Sequence, residues 1–183
     1  AKGMPGVTRN YPHTPGIDAA GNVKESQDKN FKEGDSVIVT GYDLGMNTPG
    51  GFGEYIRVPS SWAIVSPKGL SAKEAMSLGT AGLTAGLSVH ALESYRDYIG
   101  LSDTKSIVTG ATGGVGSVAV MLLSKLGSEV TAVTGKNDQL DFLSSLGASH
   151  VLSREELAET ARKPIGKSIW DVGIDVVSGD ILS

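Results

Sequence analysis

Apolar and polar positions follow two different rhythms along this chain. Through about residue 70, short apolar or β-branched runs are cut by glycine and proline. They lie at 17–23, at 36–40 after the turn Phe31-Lys32-Glu33-Gly34-Asp35, at 53–58 after the Gly50-Gly51 break, and at 62–65. Each predicts a short strand, and the spacing predicts a small, irregular antiparallel barrel or sandwich. Beyond residue 70 the pattern lengthens. Ser71 and Glu74 have the spacing of a capping box ahead of a helix through 75–78, and a second helix is predicted from Thr80 to Tyr95, after Gly79. Strands at 106–109, 130–134 and 150–152 then alternate with helices at 115–126 and 137–146, with Gly127 and Gly147 as stops. Residues 170–177 read as a further strand. Such alternation predicts a parallel sheet covered by helices. No repeat or proline-rich tether separates the two halves, so the boundary is placed near 75–80, within helix.

The second half is organised around Ser106-Ile107-Val108-Thr109-Gly110-Ala111-Thr112-Gly113-Gly114-Val115-Gly116, a strand running into four glycines within seven residues and then into a helix. Without Cβ atoms the backbone turns sharply and lets a pyrophosphate approach, while the first amides of the helix offer unpaired N–H groups and partial positive charge. The glycines do not follow the usual G-x-G-x-x-G spacing, and a plain turn is the competing reading. The surrounding βαβ pattern favours a dinucleotide. At the end of the next strand, where an NAD-binding protein commonly carries an acidic residue for the ribose 2′-hydroxyl, this chain has Thr134-Gly135-Lys136-Asn137. A cation without an acid there favours NADPH over NADH; a solvated Lys136 after a turn glycine is the other reading.

Composition narrows the remaining classes. The 183 residues are 39% hydrophobic, enough for a full core in one large or two small domains. A net charge of −4 and the absence of any Lys/Arg run argue against a nucleic-acid or anionic-membrane surface. No apolar stretch reaches membrane-spanning length. The absence of cysteine removes disulfides, thiolate catalysis and cysteine-held zinc. A cytosolic protein fits these features. His13, His90 and His150 show no metal-ligand spacing, and His90, on an apolar helix, reads as a core or interdomain packing residue. Asp18 and Glu54 read as local hydrogen-bonding groups. No P-loop and no G-x-S-x-G elbow is present. The chain opens on Ala1 in what reads as a loop through 2–7 and stops soon after a strand, the pattern expected of an internal fragment.

Five stretches together carry a family resemblance: Pro15-Gly16-Ile17-Asp18-Ala19-Ala20-Gly21, Gly50-Gly51-Phe52-Gly53-Glu54-Tyr55, Gly79-Thr80-Ala81-Gly82-Leu83-Thr84-Ala85, 108–116, and Leu146-Gly147-Ala148. In this order they resemble the medium-chain dehydrogenase/reductase superfamily. Within it they are most similar to the zinc-free quinone oxidoreductase branch and its YhdH/YhfP group of acryloyl-CoA reductases and putative quinone oxidoreductases. The resemblance implies a Rossmann-type α/β domain (79–183) joined to a GroES-like β domain (1–78), both incomplete in this chain, with the cofactor in the cleft between them. It implies that Thr112, Gly113, Gly114 and Val115 line the pyrophosphate of NADPH, that Thr134, Gly135, Lys136 and Arg154 surround its 2′-phosphate, and that Thr80 approaches the nicotinamide. Lys136 stands where the family often has Arg. The sequence alone leaves Arg154 equally readable as a helix-start residue pairing with Glu155 or Glu156, and leaves Thr84 beside Thr80 as a residue facing its own helix. No metal ligand is implied.

The implied chemistry is hydride transfer from NADPH to an activated alkene, such as an acryloyl-CoA-like enoyl thioester, or to a quinone, in a cytoplasmic homodimer. The family's Asn-Tyr-Lys-Asp stretch, whose tyrosine is a candidate proton donor, would precede Ala1, so no catalytic residue is assigned. A non-catalytic NADPH-binding protein and an inactive fragment of the reductase are the alternatives.

Overall fold

The computed structural model describes residues 8, 10–95, 100–161 and 168–179. The loop expected at 2–7 lies outside them. The chain forms two compact units, Ala1–Thr80 and Ala81–Ser183.

In the first unit β1 (Asp18–Asn22), β2 (Ser36–Thr40) and β3 (Ala63–Val65) form one antiparallel sheet in the order β1-β2-β3, with Ala20 opposite Ile38 and Ile38 opposite Ile64. The turn before β2 is held by the Lys32 amide donating to Asp35 Oδ2 at 2.9 Å and the Gly34 amide donating to the Val23 carbonyl at 2.8 Å. The strand expected at 53–58 is absent: these residues run as irregular backbone without a ladder. The glycines before them are committed elsewhere. Gly50, Gly51 and Phe52 donate to the carbonyls of Thr14, Gly16 and Pro15, which turns the chain back on residues 14–16 and leaves 53–58 without a partner strand. The described residues therefore give one three-stranded sheet, neither closed into a barrel nor stacked on a second sheet, and Phe52 and Ile64 remain 78% and 60% exposed.

Helix α1 (Ala72–Tyr95) begins with the expected capping box: the Ser71 amide donates to Glu74 Oε2 at 2.9 Å and the Glu74 amide to Ser71 Oγ at 3.2 Å. As expected, two helical segments meet at Gly79, whose backbone is not helical (φ 48°, ψ −150°). Both the left-handed φ and the space demand glycine, since a Cβ there would stand 2.6 Å from Asp18 Oδ2. Thr80 Oγ1 donates to Asp18 Oδ1 at 2.8 Å, so Asp18 ties β1 to the kink, a long-range link in place of the local bonding expected of it. His90 is exposed on α1 and is no part of the core. Leu83 and Leu87, one turn apart, are exposed as well, so this helix buries only a narrow stripe around Ala85 and Val89 and its apolar composition is a poor guide to which face is covered.

The second unit contains β4 (Lys105–Val108), α2 (Gly114–Lys125), β5 (Glu129–Thr134), α3 (Leu140–Ser145), β6 (His150–Ser153), α4 (Arg154–Ala161) and β7 (Val172–Ile174). The four strands are parallel in the order β6-β5-β4-β7, so the connections leave β4 in opposite directions at the switch between β4 and β7. β5 is buried at every position after Glu129, as a central parallel strand covered on both faces should be. Val108, Val120, Leu123, Val130, Ala132 and Leu143 make the core. Gly127 and Gly147 end α2 and α3 with positive φ, and the next amides, Ser128 and Ala148, reach back to the carbonyls of Leu123 and Leu143. Helix α4 begins at Arg154, as one of the two readings of that residue expects, and Ser153 and Glu156 repeat the capping box of α1 with the Ser153 amide donating to Glu156 Oε2 at 2.7 Å. No described helix is long and apolar enough to cross a membrane.

Leu123 is fully buried where α2 meets β4 and β5. Leu123→Ala is expected to cost about 3 kcal/mol in urea unfolding, from lost transfer energy and the cavity left behind. A loss under about 1 kcal/mol would show that this core closes around the gap.

Candidate functional site

At the end of β4 the glycines divide their tasks. Gly110 has φ 58°, and a Cβ there would stand 2.8 Å from Val176 Cγ2 and 2.9 Å from Val177 Cγ2. Gly116 is buried, and a Cβ on it would meet the Gly110 carbonyl oxygen and, at 2.8 Å, Ala111 Cα. These two let the chain reverse and the helix rest on the strand end. The turn is fastened by the Gly113 amide donating to the Gly110 carbonyl at 2.9 Å and by the Ala111 amide donating to Val133 of β5 at 3.1 Å. Gly113 and Gly114 serve differently. Both are exposed, and Gly113 occupies the N-cap of α2 with no side chain capping the helix. The first-turn amides of α2 thus open outward at the positive end of a twelve-residue helix. Thr112 and Val115, on either side, are half-buried.

A second cluster forms at the ends of β5 and β6. Thr112 Oγ1 lies 3.4 Å from Thr134 Oγ1, and Thr134 Oγ1 accepts the Lys136 amide at 3.0 Å. Thr134 is buried; Gly135, Lys136 and Arg154 are exposed. The register pairs Thr134 with Ser153, which puts Arg154 at the start of α4 beside Gly135. A Cβ on Gly135 would stand 3.0 Å from Arg154 Nε and 3.3 Å from its Cζ. Among the described residues neither Lys136 nor Arg154 makes an ion pair. Glu156, one candidate partner for Arg154, is instead turned onto Ser153, whose backbone and hydroxyl hold its carboxyl below the usual range. The structure therefore brings Thr112, Thr134, Gly135, Lys136 and Arg154 together, near the first-turn amides of α2 at Gly114 and Val115. Uncapped amides at one end and two cations free of carboxylates at the other suit a ligand with phosphate groups at both.

Thr80 belongs to the first unit, where its hydroxyl is engaged by Asp18, and Thr84 is exposed on α1. His13 bonds the Gly45 carbonyl at 2.8 Å and His150 pairs with Glu129 at 3.0 Å. No group of three or more His, Asp or Glu among the described residues could hold a metal ion.

Sequence reasoning missed Asp175. It follows β7 at the strand switch, where Thr109 Oγ1 donates to Asp175 Oδ1, the Ser178 amide to Oδ2 at 2.8 Å, and the Val176 amide to Thr109 Oγ1 at 3.2 Å. This is why β7 stops at Ile174 and not at 177. Burial raises the carboxyl's pKa, but the bonds from Thr109, Ser178 and Val177 outweigh it and hold Asp175 below its ordinary value. The signal was present in the sequence only as an Asp inside an apolar run.

Two families match the chain: the alcohol dehydrogenase GroES-like domain over residues 1–68 and the zinc-binding dehydrogenase over residues 114–183. The putative quinone oxidoreductase YhfP of Bacillus subtilis is 49% identical over 97% of this chain and 53% of its own, and its solved structure with NAD bound superposes with a TM-score of 0.88 over 96% of this chain and 53% of that one. The acrylyl-CoA reductase AcuI of Ruegeria pomeroyi is 44% identical over the same shares, 97% and 53%. The YhdH oxidoreductase of Salmonella enterica, solved in complex with NADP, is 46% identical with a TM-score of 0.89 over 96% of this chain and 53% of that one. The chain thus spans about half the length of the curated relatives it matches.

Asp175→Asn turns an amide NH2 towards the Ser178 N–H and is expected to cost about 1 kcal/mol at neutral pH. Because the folded pKa is depressed, this contribution is fully present above the unfolded carboxylate value of about 4 and is lost as pH falls through the lower folded value. Denaturation curves of both proteins should therefore converge below about pH 4; a gap that persists unchanged in acid would assign the effect to packing.

Proposed function

The chain belongs to the medium-chain dehydrogenase/reductase superfamily, and from that premise we propose that it is part of an NADPH-dependent, metal-free reductase acting on an activated alkene, such as an enoyl thioester, or on a quinone. The observation that carries the cofactor choice is the pair Lys136 and Arg154 at the end of β5, with no acidic residue at 134–136 to accept from a ribose 2′-hydroxyl. The cradle fits the group: Gly113 and Gly114 leave the α2 amides open for a pyrophosphate, and the two cations stand beside Thr134 for a 2′-phosphate. Similarity to the NADP-bound YhdH and to the acrylyl-CoA reductase and putative quinone oxidoreductase supports the same reading.

When bound, the nicotinamide supplies the hydride. The chain's own contribution is to bind and orient. The α2 N-terminus neutralises phosphate charge without a side chain in the way, and Thr112 and Thr134 offer hydroxyls beside it. Lys136 contributes a point charge and Arg154 a planar fork, so the second should carry more of the geometric selection for a phosphate monoester. The absence of cysteine fits a reaction without a thiolate-held zinc. We place the whole enzyme in the cytoplasm as a homodimer.

Fluorescence titration of the full-length protein should show NADPH binding more tightly than NADH, with Lys136→Ala and Arg154→Ala each weakening NADPH about tenfold and leaving NADH within about twofold. Equal affinities in the unmodified protein overturn the assignment, a live outcome given the NAD-bound YhfP. Turnover of acryloyl-CoA and a quinone panel separates the two substrate classes, and NADPH binding without oxidation by any of them would leave a binding protein.

A further inference from the structure

We infer that Gly135 is a positioning residue for cofactor selection: its missing side chain is what allows the Arg154 guanidinium to lie against the end of β5. This rests on the NADPH reading above and adds a residue that touches Arg154 in place of a charge that would touch phosphate.

Two observations separate this role from that of an ordinary turn glycine. Gly135 is not among the residues with positive φ, so its backbone conformation is open to any amino acid and the turn does not require glycine. Gly110, Gly127 and Gly147 in the same unit do have positive φ, and at Gly116 the obstruction is backbone. At Gly135 the nearest atoms to a built Cβ are all of one side chain: Arg154 Nε at 3.0 Å, Cζ at 3.3 Å and Cδ at 3.4 Å. The first group a side chain at 135 would meet is therefore Arg154.

The flanking residues fix the backbone that Arg154 covers. Thr134 is buried and its Oγ1 takes the Lys136 amide, so the peptide through 135 is held from beneath while Gly135 itself is exposed. Arg154 is held from its own side, because the Ser153 and Glu156 cap fixes the first turn of α4 and keeps Glu156 away from the guanidinium. Lying beside Gly135, the long arginine side chain has less rotamer freedom left to lose on meeting a phosphate.

The test uses adenosine 2′,5′-bisphosphate and 5′-AMP as probes in calorimetric titrations of the full-length protein, read together with thermal unfolding without ligand. The unmodified protein should prefer the bisphosphate. Gly135→Val should weaken the bisphosphate about tenfold, Gly135→Ala by less, with AMP within about twofold and the unfolding temperature unchanged. In an Arg154→Ala background the same Gly135→Val change should cause no further loss, since its target is gone. Unchanged bisphosphate affinity in Gly135→Val, an equal loss for both probes, or an undiminished loss in the Arg154→Ala background would each overturn the role of Gly135 while leaving the NADPH reading in place. No preference for the bisphosphate in the unmodified protein would overturn both.

Discussion

Helix α2 can begin on top of β4 only because Gly116 brings no side chain to the Gly110 carbonyl, and the second unit depends on that contact. A methyl group at 116 would force apart the two elements whose Val108, Ala119, Val120 and Leu123 make the centre of the core. The same closeness fixes where the α2 amides point. Because the helix starts at the strand end without a capping side chain, its positive terminus is left for a ligand. Core packing and anion binding are thus two results of one steric condition. On the other side of β4, Gly110 sits under Val176 and Val177, and Asp175 gathers Thr109 and the amides of the turn into one hydrogen-bonded corner.

How much of this was legible depended on whether the cause was local. The βα alternation, the stops at Gly127 and Gly147 and the Ser71–Glu74 cap are local, and each is found where the residues predict it. The strand expected at 53–58 fails because a strand needs a partner, and no feature of 53–58 reveals that Gly50, Gly51 and Phe52 are spent on the carbonyls of residues 14–16. Helix α4 is legible only through the reading of Arg154 as a helix-start residue, although Ser153 and Glu156 carry a start signal of their own. At Gly79 the sequence separates two helices and the structure breaks the helix there, but the bond from Thr80 to Asp18, some sixty residues apart in the chain, that holds the break is not visible locally. His90 was misplaced because apolar neighbours on a helix do not say which side is covered.

The candidate site divides in the same way. Thr112 to Val115 follow from strand, glycine turn and helix, and Thr134 to Lys136 from the position of the next strand end. Arg154 came only through family resemblance, since nothing near it in sequence points to a phosphate. Its relation to Gly135 comes from the Thr134 and Ser153 register of β5 and β6, a fact of pairing between residues some twenty apart.

That register also brings two basic residues to one end of the sheet in a chain of net charge −4 that has no run of basic residues. Arg154 directly follows Ser153, the partner of Thr134, and Lys136 lies two residues beyond Thr134, so parallel pairing brings the two backbone positions to the same end of the sheet. Two acidic residues of this unit are occupied: Glu156 caps its own helix and Asp175 closes the turn after β7. Hydrogen bonds that stabilise local structure thereby also remove competitors from the two cations. A change that releases Glu156 from Ser153 would free a carboxylate two residues from Arg154 and so act on that cation as well as on the start of α4.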